Sequence, residues 1–178
     1  MDEIIAACKT GDKSAQKQLF ATYAKGMLLL CSRYVKDGHH AEELMMNGFY
    51  KFFSTIERFH YTGKDSVSAW MKRIMVNECL MFLRERKSIR IMAEEQAADC
   101  VLDETVFASI SAQEIVSLID QLPEGYRTVF NLFVIEGYSH KEIAALLRVS
   151  EGTSKSQLNK AKQLLQKVLE QKRVGYEK

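Results

Sequence analysis

Between Gly137 and Leu165 the chain reads GYSHKEIAALLRVSEGTSKSQLNKAKQLL, an order of side chains that few folds accommodate. Ser139 is placed to cap a short helix, and Glu142 three residues on completes a capping box. Ile143, Ala144 and Leu147 fall on one face of that helix. Val149 buries the turn that follows, and Ser150 caps a second, longer helix. Two helices crossing steeply need a small side chain at closest approach, and Ala144 supplies it. The second helix opens on small and polar residues. It then carries Lys155, Gln157, Asn159 and Lys160, side chains suited to base edges and phosphates in a DNA major groove. The plainer alternative is a helical hairpin closing an all-α domain. Caps, small residue, turn and polar helix nevertheless coincide at helix-turn-helix spacing.

The rest of the chain is also helical in pattern. Its one proline is Pro123, β-branched runs are scarce, and 47% of residues are hydrophobic against 27% charged, which suits a folded protein. Helices are expected near 2–9, 12–36, 39–57 and 67–87, with breaks at Gly11-Asp12 and Asp37-Gly38. Leu28, Cys31, Tyr34 and Val35 form one apolar stripe, and Leu44, Phe49, Phe52, Phe53 and Ile56 another. Trp70, Ile74, Asn77 and Met81 share a face of the next helix, where a lone Trp belongs most simply to the core. Phe59–Ser66 reads as a loop. Further helices are expected near 112–120, 124–135, 139–147 and 151–172, with Pro123 opening the second of them. The fold class is therefore all-α: two small helical domains, 1–90 and 113–178, joined by a flexible acidic linker over 91–112, the C-terminal domain being the helix-turn-helix.

Charge follows the same division. Residues 1–90 hold 15 basic and 10 acidic side chains, 91–113 hold none against 5, and 114–178 hold 10 against 8. Two basic units suit a polyanion, while a net charge of +2 argues against indiscriminate coating of nucleic acid. No signal-peptide pattern and no apolar run near the roughly 20 residues of a membrane span is seen. A cytoplasmic protein is the expectation, with no direct membrane insertion. Cys8, Cys31, Cys79 and Cys100 are scattered without a CxxC, so reduced, mostly buried thiols are expected and zinc is not. No nucleophile–base constellation, phosphate-binding glycine loop or metal motif points to an enzyme, and no cofactor is expected.

Four stretches, in order, resemble the extracytoplasmic-function (ECF) branch of the bacterial sigma-70 factors: GDKSAQKQLFATYA, DGHHAEELMMNGFYKFF, SAWMKRIMVNECLMFLRERK, and LIDQLPEGYRTVF through the helix-turn-helix. The resemblance implies a subunit that binds core RNA polymerase, recognises −35 and −10 promoter elements and promotes DNA melting. Glu42, Glu43, Met46, Asn47 and Phe49 would then meet the clamp helices of the largest polymerase subunit, with Met46 where the family usually has glutamine. Phe59, Tyr61, Lys64, Lys72, Arg73, Asn77, Arg84 and Arg86 would bind the −10 element, a melted base being enclosed by the loop and its strand held by the cations. Arg127, Lys141, Thr153, Lys155, Ser156, Gln157, Asn159 and Lys160 would serve the −35 element. Partners implied are core polymerase, including its flap, promoter DNA and an anti-sigma factor, often membrane-tethered in such systems. Ser154 stands where a buried valine is usual, Arg148 where the turn usually has glycine, and Gln157 where arginine is common. The competing reading is a stand-alone helix-turn-helix regulator whose N-terminal bundle senses a ligand or dimerises.

Overall fold

A computed structural model describes residues 1–86 and 117–176, apart from the side chains of Lys64 and of 170–176. All regular structure among the described residues is helical, in two compact units, Met1–Glu85 and Arg86–Lys178. The expected linker and Cys100 lie outside the described residues.

The first unit consists of α1 (Asp2–Lys9), α2 (Lys13–Tyr34), α3 (Gly38–Thr55), a 3-10 turn Ile56–Arg58, and α4 (Lys64–Glu85). The starts of α2 and α3 are set by carboxylates. Asp12 accepts from the N–H groups of Ser14 at 2.7 Å and Ala15 at 3.0 Å, and Asp37 accepts from His40 N–H at 2.9 Å. That bond, with a second from the His40 ring, holds the Asp37 carboxyl below its ordinary value. The loop expected over Phe59–Ser66 is shorter than its composition predicts. Gly63, at φ 137°, makes the turn, and the Ser66 hydroxyl accepts from Thr62 N–H at 3.3 Å and donates to the Gly63 carbonyl at 2.6 Å, so α4 begins at Lys64.

Leu19, Leu30, Tyr34, Phe52, Met71, Met75 and Leu80 are fully buried between α2, α3 and α4. Gly48 faces α4 so closely that a Cβ there would run into the Met75 side chain. Cys31 of α2 and Cys79 of α4 lie in hydrogen-bond contact inside this core. That contact, and then burial, push the Cys79 thiol well above its ordinary pKa, so it is an inert packing group.

In the second unit, residues 117–119 are helical and lead through Pro123 into α5 (Glu124–Phe130). The sequence pattern ran on as one helix to 135. Instead α5 passes into a π-helical turn over Asn131–Ile135, in which Glu136 N–H bonds the Asn131 carbonyl at 2.9 Å. Next come α6 (His140–Leu147) and α7 (Glu151–Tyr176). The capping box is present: Glu142 N–H donates to Ser139 Oγ at 3.3 Å, and Ser139 N–H donates to Glu142 Oε2 at 2.8 Å. Ser150 Oγ accepts from Thr153 N–H at 3.0 Å at the start of α7. Between the helices Arg148 is left-handed, at φ 57° and ψ 46°.

A side chain with a Cβ in that conformation costs about 1–2 kcal/mol. Arg148→Gly is therefore expected to stabilise the second unit by about 1 kcal/mol, raising its Tm by a few degrees in calorimetry. An unchanged or lower Tm would mean that contacts of the arginine side chain offset the strain.

Candidate nucleic-acid interface

Helix α4 has two working faces. Val67, Met71, Met75, Cys79, Leu80 and Leu83 are buried. The line Trp70, Ile74, Asn77, Met81 and Arg84, at helical spacing, instead walls an open groove of about 830 Å³. Lys51 and Thr55 from the end of α3, Arg58 from the 3-10 turn, and Glu78 complete it. Trp70, the one residue of this line assigned to the core from the sequence, thus stands at the groove wall, because the Met71, Met75, Cys79 and Leu80 side of α4 is the one that packs inward. Trp70 is half-buried, set against Phe52 at 4.9 Å and stacked on Phe59 at 4.8 Å with 12° between the rings, and its remaining surface faces the groove.

The structure places the −10 candidates unequally. Asn77 and Arg84 are exposed and lie in the groove. Arg73 is exposed at its margin by helical position, whereas Lys72 is exposed on another side of α4 and Arg86 is exposed just past its end. Tyr61 is half-buried near Tyr23 of α2 and Asp65, outside the groove lining. The side chain of Lys64 lies outside the described part. Phe59 overturns the expectation of a base-stacking loop residue. It is 6% exposed beneath Trp70, and its carbonyl accepts from Lys9 Nζ at 2.7 Å, which ties α1 to the loop. Lys51, Thr55 and Arg58 were not singled out from the sequence, since nothing local to them signals that α3 and α4 will share a groove. Glu78 would repel a phosphate there. Lys51 Nζ meets its Oε1 at 2.6 Å and cancels that charge.

Glu42, Glu43, Met46 and Asn47 are exposed along the outer face of α3. Tyr50, one turn beyond Met46, is 75% exposed and belongs to the same face. Phe49 does not belong to it. Its ring is 2% exposed and packs on Phe20 at 4.7 Å and on Phe53 at 6.2 Å, so it is a core residue.

On the helix-turn-helix, Lys141 and Lys155 are exposed, and Thr153, Asn159 and Lys160 are half-buried. Three candidates are buried, contrary to expectation. Arg127 is 2% exposed on α5, and burial pulls its guanidinium below the usual value while Glu124 and Asp120 oppose the shift. It is a structural cation rather than a phosphate contact. Gln157 is 2% exposed: three residues after Ser154 and four before Ala161, it lies along the edge of the inner face. Ser156, at 7%, carries too short a side chain to project. Ser154 is fully buried with its hydroxyl 2.9 Å from His140 Nδ1, so this position is polar-bonded rather than loosely packed.

Residues 19–89 match the family model of sigma-70 region 2, and residues 112–165 match that of sigma-70 region 4. The chain is a member of the ECF branch of the sigma-70 family. It is 29% identical to the ECF RNA polymerase sigma factor SigW of Bacillus subtilis (strain 168), over 93% of this chain and 94% of that one. It is 29% identical to the ECF RNA polymerase sigma factor SigM of Mycobacterium tuberculosis (strain H37Rv), over 94% and 83%. It is 26% identical to the ECF RNA polymerase sigma-E factor of Haemophilus influenzae, over 92% of each. Both halves of a two-part sigma factor are therefore present in order, and the groove of α3 and α4 lies within the region 2 match.

The burial of Phe59 carries a direct test. Phe59→Ala is expected to destabilise the first unit by about 3 kcal/mol, as loss of a packed aromatic does, whereas Tyr61→Ala stays within about 1 kcal/mol. Urea unfolding measures both, and equal effects would contradict this packing.

Proposed function

We propose how this sigma factor divides its work among its surfaces. As an RNA polymerase sigma factor it recognises −35 and −10 promoter elements and promotes melting for initiation. Region 2, over residues 1–90, docks on core polymerase through the outer face of α3 and handles the −10 element through the groove of α3 and α4. Region 4, over 113–178, seats α7 at the −35 element, with 91–112 as the connection. The observation that carries this reading is the pairing of two chemically opposite faces on one pair of helices. Glu42, Glu43, Met46, Asn47 and Tyr50 offer acids and apolar surface to a protein. Asn77, Arg84 and Arg58 around Trp70 offer cations, an amide and an aromatic edge to a single strand.

On α7, Lys155, Asn159 and Lys160 contact DNA, assisted by Lys141 of α6, with Thr153 near the phosphates. The chain works with core polymerase in the cytoplasm as a non-catalytic factor, and no helix among the described residues is long and apolar enough to cross a membrane. The polymerase flap is the partner assigned to region 4. An anti-sigma factor, often membrane-tethered for this family, would act by covering one of these faces. The stand-alone regulator is not favoured, because residues 19–89 match a polymerase-factor region rather than a sensing bundle.

Two variants separate the surfaces. Replacing Lys155 and Lys160 together with alanine is expected to cut promoter-specific run-off transcription at least about tenfold while leaving co-elution with core polymerase intact. Lost co-elution would mean that the surfaces are misassigned. Glu42→Lys with Glu43→Lys should weaken core binding by about tenfold and make the remainder more salt-sensitive. Unchanged affinity would remove α3 from the polymerase interface.

A further inference from the structure

Three elements of region 4 meet at one side chain. His140 is the first residue of α6; its ring stacks on Phe133 of the π-helical turn at 4.4 Å and 21°, and its Nδ1 lies 2.9 Å from Ser154 Oγ on α7. Ser154 is wholly buried, and a hydroxyl there needs a partner that an apolar side chain would not. The residue after it is Lys155, exposed on the face assigned to DNA. Any roll of α7 that breaks the His140–Ser154 contact carries Lys155 with it.

We infer that His140 is a positioning residue for promoter recognition: through Ser154 it seats α7 against α6. The inference rests on the assignment of α7 to the −35 element. The charges that face the imidazole are Lys155, Lys162 and Glu151, all on α7, while the element on its other side contributes the uncharged Phe133 ring. Burial and then Lys155, with a smaller part from Lys162, lower its pKa against the opposing pull of Glu151. Its place at the positive end of α6 acts the same way. The folded state therefore favours the neutral ring more than the unfolded chain does. Below the ordinary value of 6.5 the unfolded chain takes up a proton that the folded chain refuses, so stability is full above that pH and is lost as pH falls toward the folded pKa. His39, His40 and His60, the remaining histidines, are in the first unit.

The test uses the full chain as His140→Gln, His140→Phe, Ser154→Val and the double variant H140F/S154V. Thermal unfolding is followed from about pH 7.5 to about pH 5.5. Binding by holoenzyme is measured on a duplex that the wild-type holoenzyme selects from a random pool. Each apolar single variant should weaken binding about tenfold at neutral pH, and the double variant should recover most of it, since partner and need disappear together. His140→Gln should keep near-wild-type binding but lose the acid-dependent fall of the region 4 transition. Additive single effects, or wild-type pH dependence in His140→Gln, would overturn the inference. If the wild-type holoenzyme selects no duplex, the promoter assignment itself falls, and the unfolding cycle alone decides whether the two side chains are coupled.

Discussion

The close approach of α3 and α4 at Gly48 and Met75 decides the direction of nearly every functional side chain in region 2. Once Gly48 lets α4 in, Met71, Met75, Cys79 and Leu80 must face inward. With 3.6 residues per turn, the Trp70–Arg84 line is then rotated to the rim, where the end of α3 supplies its other wall. The same packing takes Leu44, Phe49 and Phe52 of α3 into the core and turns Glu42, Met46 and Tyr50 outward. The surface proposed for polymerase and the groove proposed for DNA are thus two consequences of one helix–helix contact. A side chain larger than glycine at position 48 would first have to displace the Met75 thioether from this contact.

Region 4 is specified differently, by polar contacts at its corners. The capping box at Ser139, the Ser150 cap and the His140–Ser154 contact each satisfy groups that a helix end or a buried hydroxyl would otherwise leave without partners. Each contact also fixes an angle, which bare apolar packing of short helices does poorly. Against these stands the left-handed Arg148, a local cost borne at the turn that the recognition helix requires.

Much of this was legible in the sequence where the controlling interaction is local. Ser139 and Ser150 cap helices as their spacing predicts, and Asp12 and Asp37, at the breaks the sequence marks, cap the helices that follow, because a cap involves residues three or so apart. The order of helices and the helix-turn-helix follow from the same kind of signal. What the sequence concealed depends on which helix covers which. Arg127 and Lys141 are both cations on short helices, yet the core of region 4 takes one and leaves the other exposed. Phe49 and Tyr50 are adjacent aromatics that point to opposite fates, since a step of 100° carries one into the bundle and the other out of it. Phe59 looked like a loop aromatic free to stack on a base, until Trp70 of the next helix covered it. The Lys51–Glu78 pair joins residues 27 apart, beyond the reach of any periodicity argument.

The distribution of charge explains why such a factor works as a subunit rather than alone. Binding to duplex DNA scales with the number of phosphates neutralised, each contributing about 0.9 to the slope of affinity against salt on logarithmic axes. Region 4 exposes only Lys141 and Lys155 among its assigned contacts, with Lys160 half-buried, and the groove of region 2 offers Arg58 and Arg84 beside a Lys51 already engaged with Glu78. Each set is small, and a net charge of +2 adds little long-range attraction. Joined on one polymerase, the two weak readers act at high effective concentration, and their affinities combine only where both promoter elements lie at the spacing the polymerase imposes. Weakness of each part is what makes the promoter, rather than DNA in general, the favoured site.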